Sequence, residues 1–460
     1  MIILHFINRL KERRFLEKRL NSNKSELIIL YGRRRVGKTF LLEHSLKQGL
    51  FFSCDLSKPQ YLMNTFFNQL KPLLDLPMDL KISTWDEFFS LLKTTILKQK
   101  IRSVVFDEFQ YIPQRDESFL SIFQRWWDKE FKKMNVFFVL CGSYVGMIER
   151  MALSQNSPLY GRRTGQYRLM PMDFFDSSLF LSKMDIISKI NSYAVLGGIP
   201  IYLLEFSEYS NFKDALLEKI FSPGEFLLEE GRFLTLEEFR KDPSTYFTIL
   251  NVISSGRTKP VEISTLSGVE HKNIGTYLSK LLDLQFIRKE FPFSMKKPKN
   301  VPLYFIEDDY LRFYFKYIFK NIDKIYRGMG EMVAEEVLKS FSTYVSFTFE
   351  KIAKQYLIEK INPDSIGRWW DKGEEIDLVA VKDRKLIVGE CKWTNKPVDN
   401  STFLKLKRKS SKLLEYLDYD FEEIEYYLFS KSGFKNIEKS HDVHLVDLEE
   451  ISKVQRHHVK

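Results

Sequence analysis

The sequence predicts an α/β protein whose first half forms a parallel sheet with helices on both faces. Three observations support this class. Short apolar strands alternate with amphipathic stretches over residues 1–175, which is the order expected of βα units. The pattern then turns helical between residues 174 and 255, and a second α/β block occupies residues 331–460. A chain of 460 residues is long enough for several such domains.

The candidate strands of the first half are short apolar runs, each followed by a helical pattern. They are residues 26–31, 49–55, 101–107, 136–142 and 166–172. Because the runs and the helical patterns alternate, we expect the strands to share one sheet with the helices on its two faces.

Composition sets limits on the class of protein. The 71 Lys and Arg residues outnumber the 61 Asp and Glu residues, giving a net charge of +10; this permits an acidic partner such as nucleic acid, and a lysine-rich surface explains it equally well. The three scattered cysteines suggest no structural zinc and suit a reducing cytosol. The sequence has no credible signal-peptide core, and its longest apolar run is too short for a bilayer. We therefore predict a cytoplasmic protein without a membrane partner.

A phosphate-binding loop follows the first strand. The motif G-x-x-x-x-G-K-[ST] is matched in full by Gly32, Arg33, Arg34, Arg35, Val36, Gly37, Lys38 and Thr39, with a strand before it and a helix after it. Glycines let backbone amides approach phosphates, and the helix N-terminus adds partial positive charge. Lys38 is expected to contact the β- and γ-phosphates, and Thr39 to hold Mg²⁺. The alternative is an ordinary strand–helix turn.

Further polar residues fit hydrolysis of a nucleotide. Asp107 ends the strand at 101–107, where its carboxylate can hold the metal through water, and Glu108 is a candidate base for the attacking water. Ser143 ends the next strand and is a candidate γ-phosphate sensor, or else a helix N-cap. Arg162 and Arg163 are candidates for an arginine finger, in cis or to a neighbouring subunit of a homo-oligomer, or else belong to a solvated turn.

Residues 244–310 show a different order of elements. Two helical runs, a turn at Gly268, a third helix and a two-stranded hairpin predict a winged helix. The third helix would present His271, Lys272, Asn273 and Lys280 on its outer face. The basic residues of the hairpin region would add salt-sensitive, weakly specific contacts with DNA; they are Arg288, Lys289, Lys296, Lys297 and Lys299. A protein–protein or interdomain module is the alternative.

The C-terminal block carries a possible metal site. Asp377 is followed after twelve residues by Glu390, Cys391 and Lys392, and two adjacent strands would bring the acids and the lysine together. Two carboxylates can hold Mg²⁺ or Mn²⁺, while the lysine orients or activates water. Glu350, on an upstream helix, would complete such a site. The alternatives are surface charges on amphipathic strands, or a site that only binds.

Several phrases resemble those of a known family when they are taken in order. The chain resembles the archaeal-type ATPase family, a branch of AAA+/STAND-like P-loop NTPases, through "FINRLKE", "ILYGRRRVGKT", "VVFDEFQY", "LCGS", "LYGRRTG", "YAVLGGIPIYL" and "IEDDYLRFYFKYI". The resemblance implies an ASCE-type sheet, a helical lid, ATP rather than GTP, and adenine near Asn8 and Arg9. It also implies that Gly197 and Gly198 shape the lid. The C-terminal pattern resembles the PD-(D/E)xK nuclease superfamily.

Together these patterns predict a P-loop NTPase parallel sheet with a helical lid, a winged helix and a C-terminal α/β restriction-endonuclease-like domain. The expected bounds are 1–175, 176–243, 244–330 and 331–460. We expect a Mg²⁺-dependent ATPase associated with DNA. The alternative is a nucleotide switch for signalling or assembly, whose C-terminal domain only binds.

Overall fold

A computed structural model of the chain describes residues 8–46, 48–239, 241–295, 302–417 and 419–454. The chain divides into two compact units, Met1–Pro171 and Met172–Lys460. The finer bounds expected from the sequence, at residues 175, 243 and 330, stay predictions.

The first unit is built on a parallel sheet. Over its described residues the sheet has five strands, β1 (Glu26–Tyr31), β2 (Gly49–Ser53), β3 (Ser103–Asp107), β4 (Phe137–Gly142) and β5 (Gly165–Arg168). Their order is β2-β3-β4-β1-β5, and each pairing is parallel. The α/β class with a parallel sheet is therefore confirmed. The last strand ends at Arg168, four residues earlier than the apolar pattern suggested.

Helices connect the strands of the first unit. They are α1 (Leu10–Leu20), α2 (Lys38–Ser45), α3 (Pro59–Leu74), α4 (Trp85–Gln99), α5 (Tyr111–Arg115), α6 (Ser118–Lys129) and α7 (Val145–Ile148), with a 3₁₀ turn at Phe131–Lys133 and a π-helical turn at Glu149–Leu153. Strands β1 and β4 are buried along their whole length, as expected for parallel strands covered on both faces. Many of the phenylalanines fill this core, among them Phe66, Phe88 and Phe106.

The second unit begins with helices. They are α8 (Phe174–Ser177), α9 (Ile186–Leu196), α10 (Pro200–Phe206), α11 (Phe212–Lys219), α12 (Phe226–Glu238), α13 (Pro243–Ser254), α14 (Pro260–Ser267) and α15 (His271–Asp283). Strands β6 (Ile287–Glu290) and β7 (Leu303–Ile306) follow as an antiparallel pair. The elements from α13 to β7 occur in the predicted order, with the turn at Gly268. Lys296, Lys297 and Lys299 lie outside the described residues.

A long helix leads to the C-terminal sheet. After α16 (Asp309–Phe313), the short turns Tyr314–Ile318 and Phe319–Asn321, α17 (Ile322–Lys324) and the turn Ile325–Met329 comes α18 (Gly330–Ile361). The remaining elements are β8 (Ser365–Asp371), β9 (Glu374–Lys382), β10 (Lys385–Lys392), β11 (Val398–Asp399), α19 (Asn400–Leu417), β12 (Glu423–Ser430), β13 (Phe434–Lys435), β14 (Val443–Val446) and α20 (Leu448–Ser452).

The C-terminal sheet is mixed. Its strand order is β14-β12-β10-β9-β8. Strand β9 runs antiparallel to both β8 and β10, whereas β10, β12 and β14 run parallel. Both α18 and α19 contact β9 and β10, so these helices can bring side chains to the ends of the two strands. Within the described residues, no helix combines the length and the apolar character that crossing a membrane requires.

Candidate nucleotide site and carboxylate cluster

The phosphate loop connects β1 to α2 in a conformation that depends on its glycines. A Cβ atom on Gly32 would lie 2.2 Å from the carbonyl oxygen of Leu169, so a side chain has no room there. Gly37, at the N-cap of α2, has a φ of 89°, which is in the left-handed region that favours glycine. The loop therefore leads directly into the N-terminus of α2, where free N–H groups favour an anion.

Lys38 lies over the loop that precedes it. Its Nζ donates to the carbonyl oxygens of Gly32 at 2.9 Å and Arg33 at 3.0 Å, and the residue is buried. The ammonium group is thus held at the mouth of the loop, where phosphate oxygens could replace the two carbonyl oxygens.

Thr39 and Asp107 lie against each other at the carboxyl edge of the sheet. The hydroxyl of Thr39 donates to Asp107 Oδ2 at 2.6 Å. Both residues offer oxygen, the ligand that Mg²⁺ prefers. No group of three or more His, Cys, Asp or Glu side chains that could hold a metal ion occurs in the described part of the chain. A Mg²⁺ ion at Thr39 and Asp107 would therefore take its other ligands from phosphate and water.

Glu108 and Ser143 were predicted separately and lie together in the structure. Glu108 Oε2 accepts from Ser143 Oγ at 2.6 Å and from the Ser143 backbone N–H at 3.1 Å. The N-cap residue of α7 is Tyr144 rather than Ser143, so the Ser143 hydroxyl contacts the acid instead of capping the helix.

Gln110 completes this arrangement and was missed in the sequence. Its Nε2 donates to Glu108 Oε2 at 2.5 Å, and its side chain is fully buried. A Cβ atom on Gly142 would lie 2.3 Å from Gln110 Oε1, so the glycine leaves room for the amide. In the sequence, Gln110 stands two residues after Glu108 in "DEFQ". This spacing alone does not show that the two side chains form a hydrogen bond.

The predicted finger residues contact nearby parts of the first unit. Arg162 Nε donates to Asp128 Oδ2 at 2.9 Å, and its Nη1 donates to the carbonyl oxygen of Pro158 at 3.0 Å. Arg163 Nη1 donates to the carbonyl oxygens of Ala152 and Leu153, both at 3.3 Å. These contacts agree with the turn alternative, and the finger role stays a prediction.

Other arginines support the phosphate loop itself. Arg34 Nη2 donates to the hydroxyl of Tyr111 at 2.7 Å, so this variable position of the motif contacts α5. Buried Arg9 donates to the carbonyl oxygens of Val36 at 2.9 Å and Met170 at 2.7 Å. Arg9 therefore links the segment before α1 to the loop, while its proposed closeness to adenine stays a prediction.

The C-terminal acids and lysine lie together at the ends of β9 and β10. Asp377 Oδ2 accepts from the backbone N–H of Cys391 at 2.8 Å, and Lys392 Nζ donates to Glu390 Oε1 at 2.5 Å. Lys409, on α19, donates to Glu390 Oε2 at 3.0 Å. No motif in the sequence includes Lys409, because only the packing of α19 on the sheet brings this residue to Glu390. We refer to Glu350, Asp377, Glu390, Lys392 and Lys409 as the carboxylate cluster. Among the described residues its three acids do not form a group that could hold a metal ion by themselves, so their role as metal ligands stays a prediction.

Burial and neighbouring charges shift the pKa values of residues in the carboxylate cluster. Burial, with the charge of Asp377, raises the pKa of Glu350 to about 8. Burial, with the charge of Glu390, raises the pKa of Asp377 to about 6. Burial alone would lower the pKa of Lys392, but the adjacent Glu390 raises it above its ordinary value. Burial therefore favours the neutral form of both acids more than it would for an exposed carboxyl group.

One prediction about a DNA-contacting residue is changed by the structure. Lys280 does not extend freely from α15: its Nζ lies 5.2 Å from the ring centroid of Tyr246 and 5.5 Å from that of Phe239. The cation is held over these rings because their faces are electron-rich.

A parallel sheet with a phosphate loop after β1 and a Thr39–Asp107 contact at the end of β3 defines a P-loop ATPase. Comparison with known proteins agrees. Residues 6–206 match a family described as an ATPase domain predominantly from Archaea, and residues 314–412 match one described as Archaea bacterial proteins of unknown function. An uncharacterized protein of Methanocaldococcus jannaschii is 32% identical over 459 residues, covering 97% of this chain and 100% of that protein. The chain belongs to the archaeal-type ATPase family.

Two further similarities concern parts of the chain. An uncharacterized ATP-binding protein of Methanocaldococcus jannaschii is 58% identical over 45 residues, which cover 10% of this chain and 76% of that protein. A Walker-type ATPase of Pyrococcus abyssi is similar in structure, with a TM-score of 0.52 and 21% identity over 67% of this chain and 95% of that one. At this identity the likeness shows a shared fold.

Proposed function

We propose that the chain binds ATP with Mg²⁺ at the phosphate loop, hydrolyses it, and couples the reaction to DNA through its second unit. The hydrogen bond between Thr39 Oγ1 and Asp107 Oδ2 supports the nucleotide-binding part of this proposal. It puts a hydroxyl and a carboxylate beside the N-terminus of α2, where a metal-bound phosphate would be stabilised.

The residues of the first unit supply the chemistry of in-line attack by water. Lys38 and the loop amides offset the charge of the β- and γ-phosphates, and Glu108 polarises the water. Bound Mg²⁺ would neutralise charge that develops on the phosphate oxygens. Ser143 senses the γ-phosphate through its contact with Glu108, and Arg162 or Arg163 offsets charge in the transition state.

Replacing Lys38 with Ala should abolish ATP hydrolysis, because it removes the ammonium group that lies at the mouth of the loop. Hydrolysis is measured with and without duplex DNA, at about 50 and about 200 mM salt, since DNA coupling through phosphates weakens with salt. Lys129→Ala, at an exposed position of α6, is the matched control. Undiminished hydrolysis by Lys38→Ala would rule out the assignment.

The second unit supplies the features that favour DNA. His271, Lys272 and Asn273 are exposed at the start of α15, where a winged helix would contact a groove. The carboxylate cluster has the residue types of a metal-dependent nuclease. This nuclease hypothesis is tested by measuring metal-dependent cleavage of DNA by the wild type, Asp377→Ala and Glu390→Ala. Equal cleavage rates in these three proteins would show that the cluster is not catalytic.

A nucleotide switch for signalling or assembly is the second candidate. The contacts of Glu108 with Ser143 and Gln110 favour it, since both donors engage Oε2 and leave only Oε1 of this carboxylate to polarise water. A C-terminal site that only binds also fits, because Glu390 already contacts Lys392 and Lys409. Slow or single turnover without stimulation by DNA would support the switch.

A further inference from the structure

Helix α19 is strongly basic on the side that faces away from the sheet. Its apolar side chains Phe403, Leu406, Leu413 and Leu417 are buried in the core of the C-terminal sheet. The helix contains one acid, Glu415, and five basic residues: Lys405, Lys407, Arg408, Lys409 and Lys412. Since this apolar stripe faces the sheet, the basic residues lie outside it, together with the exposed Leu404.

The basic face is continuous with the carboxylate cluster. Lys409 Nζ lies 3.0 Å from Glu390 Oε2. On the same helix, Lys412 and Arg408 lie 2.6 Å and 3.7 Å from Glu374 Oε1, and Glu374 is the first residue of β9, the strand that carries Asp377. The positive charges therefore line the strand ends where the cluster lies.

Much of this positive charge is open to solvent. The side chain of Arg408 is 67% exposed and that of Lys412 is 50% exposed, and Lys405 is exposed as well. These three residues follow one another at i, i+3 and i+7, so they share a helix face. They span about 10 Å at a rise of ~1.5 Å per residue, which is about the length of duplex axis covered by three base-pair steps at ~3.4 Å each.

We propose that Lys405, Arg408 and Lys412 form a docking surface for the sugar–phosphate backbone of double-stranded DNA. Lys409 extends this surface to Glu390, so that a strand held along α19 lies beside the carboxylate cluster. Charge complementarity favours this occupant, because the three side chains form a row of cations along one helix. The inference rests on the proposed association with DNA and assigns its contact surface.

The test measures binding of a short fluorescein-labelled duplex of random sequence to the full chain by fluorescence anisotropy. The variant Lys405→Gln/Arg408→Gln/Lys412→Gln should bind about tenfold more weakly at ~0.1 M salt, and its slope of log K against log salt should fall by about 2 to 3. Glutamine is about as good a helix former as lysine, so the fold is retained, which the thermal unfolding midpoint checks.

Two further variants test whether DNA affinity depends on the position of the basic residues or only on the net charge of the protein. Lys405→Arg/Arg408→Lys/Lys412→Arg keeps the charge and should bind like the wild type. Lys320→Gln/Lys324→Gln/Arg327→Gln removes the same charge at exposed positions elsewhere in the second unit and should keep both the affinity and the slope.

The outcomes distinguish this surface from the broader proposal. A wild type that binds the duplex, with the α19 glutamine variant unchanged, would overturn the surface and leave association with DNA standing. Equal losses in the α19 variant and the Lys320 control would also overturn it, since net charge would explain both. A wild type that fails to bind would refute association with DNA itself.

Discussion

At the scale of single residues, the position of the Glu108 carboxylate depends on two neighbours. Glu108 has a φ of 52°, an uncommon conformation for a residue with a side chain. Ser143 and Gln110 both donate to the same oxygen, Oε2. With Oε2 held, Oε1 is the oxygen that can face an attacking water. Gln110 is therefore a positioning residue in the proposed reaction.

Replacing Gln110 with Met should lower kcat for ATP hydrolysis by about tenfold, because Met keeps the shape and lacks the N–H donor that holds Glu108. KM for ATP should stay unchanged, since Gln110 touches Glu108 and not the phosphate loop. Steady-state kinetics measure kcat and KM separately. Gln114→Met, at an exposed position of α5, is the control.

A double-mutant cycle sharpens this prediction. If Gln110 acts through Glu108, then Glu108→Gln with Gln110→Met should be no slower than Glu108→Gln alone. A further loss in the double variant would mean that Gln110 contributes by another route.

At the scale of elements, helix starts in the second unit depend on acidic caps. Asp185 precedes α9, and its Oδ1 accepts from the backbone N–H groups of Ile187 at 2.8 Å and Ser188 at 2.9 Å. Burial alone would raise the pKa of Asp185, but the hydrogen bonds from Ser188 and Ile187 hold it below 3.8. The carboxylate is thus the form that stabilises the helix.

Replacing Asp185 with Ala should lower the free energy of unfolding at neutral pH by about 1 kcal/mol, as loss of an N-cap does. The folded pKa is depressed, so the benefit is fully present above pH 3.8 and shrinks as the pH falls through the lower folded value. Chemical denaturation at a series of pH values measures this. Asp185→Asn keeps an accepting cap without the charge, so a loss as large as that of Asp185→Ala would contradict the explanation.

Local pattern predicted those elements whose signal lies in adjacent residues. The strands of the first unit follow their apolar runs, and the phosphate loop follows from its motif. Helix α18 is a different case, since the pattern placed only Glu350 on a helix, whereas this helix spans Gly330–Ile361. The order of the strands in each sheet depends on packing between distant segments, and so does the contact of Lys409 with Glu390. Spacing along the chain does not predict such packing.

At the scale of the whole molecule, the chain divides into two units between Pro171 and Met172. This division predicts which unit ATP should stabilise against unfolding. Each unit has its own sheet and core, and such units commonly unfold in separate transitions. The loop, Thr39, Asp107 and Glu108 all lie in the first unit. A ligand that binds only the folded form raises the stability of the unit that holds it, by about 2.7 kcal/mol at a hundredfold excess over Kd.

Calorimetry should therefore show two unfolding transitions, and ATP with Mg²⁺ should raise the midpoint of one of them by about 5 to 10 °C. A nonhydrolysable analogue avoids turnover during the scan. In Lys38→Ala neither midpoint should move, which assigns the shifted transition to the first unit; the control Lys129→Ala should behave as the wild type. A single transition that moves as a whole would mean that the two units unfold together, and a shift that persists in Lys38→Ala would place the nucleotide elsewhere.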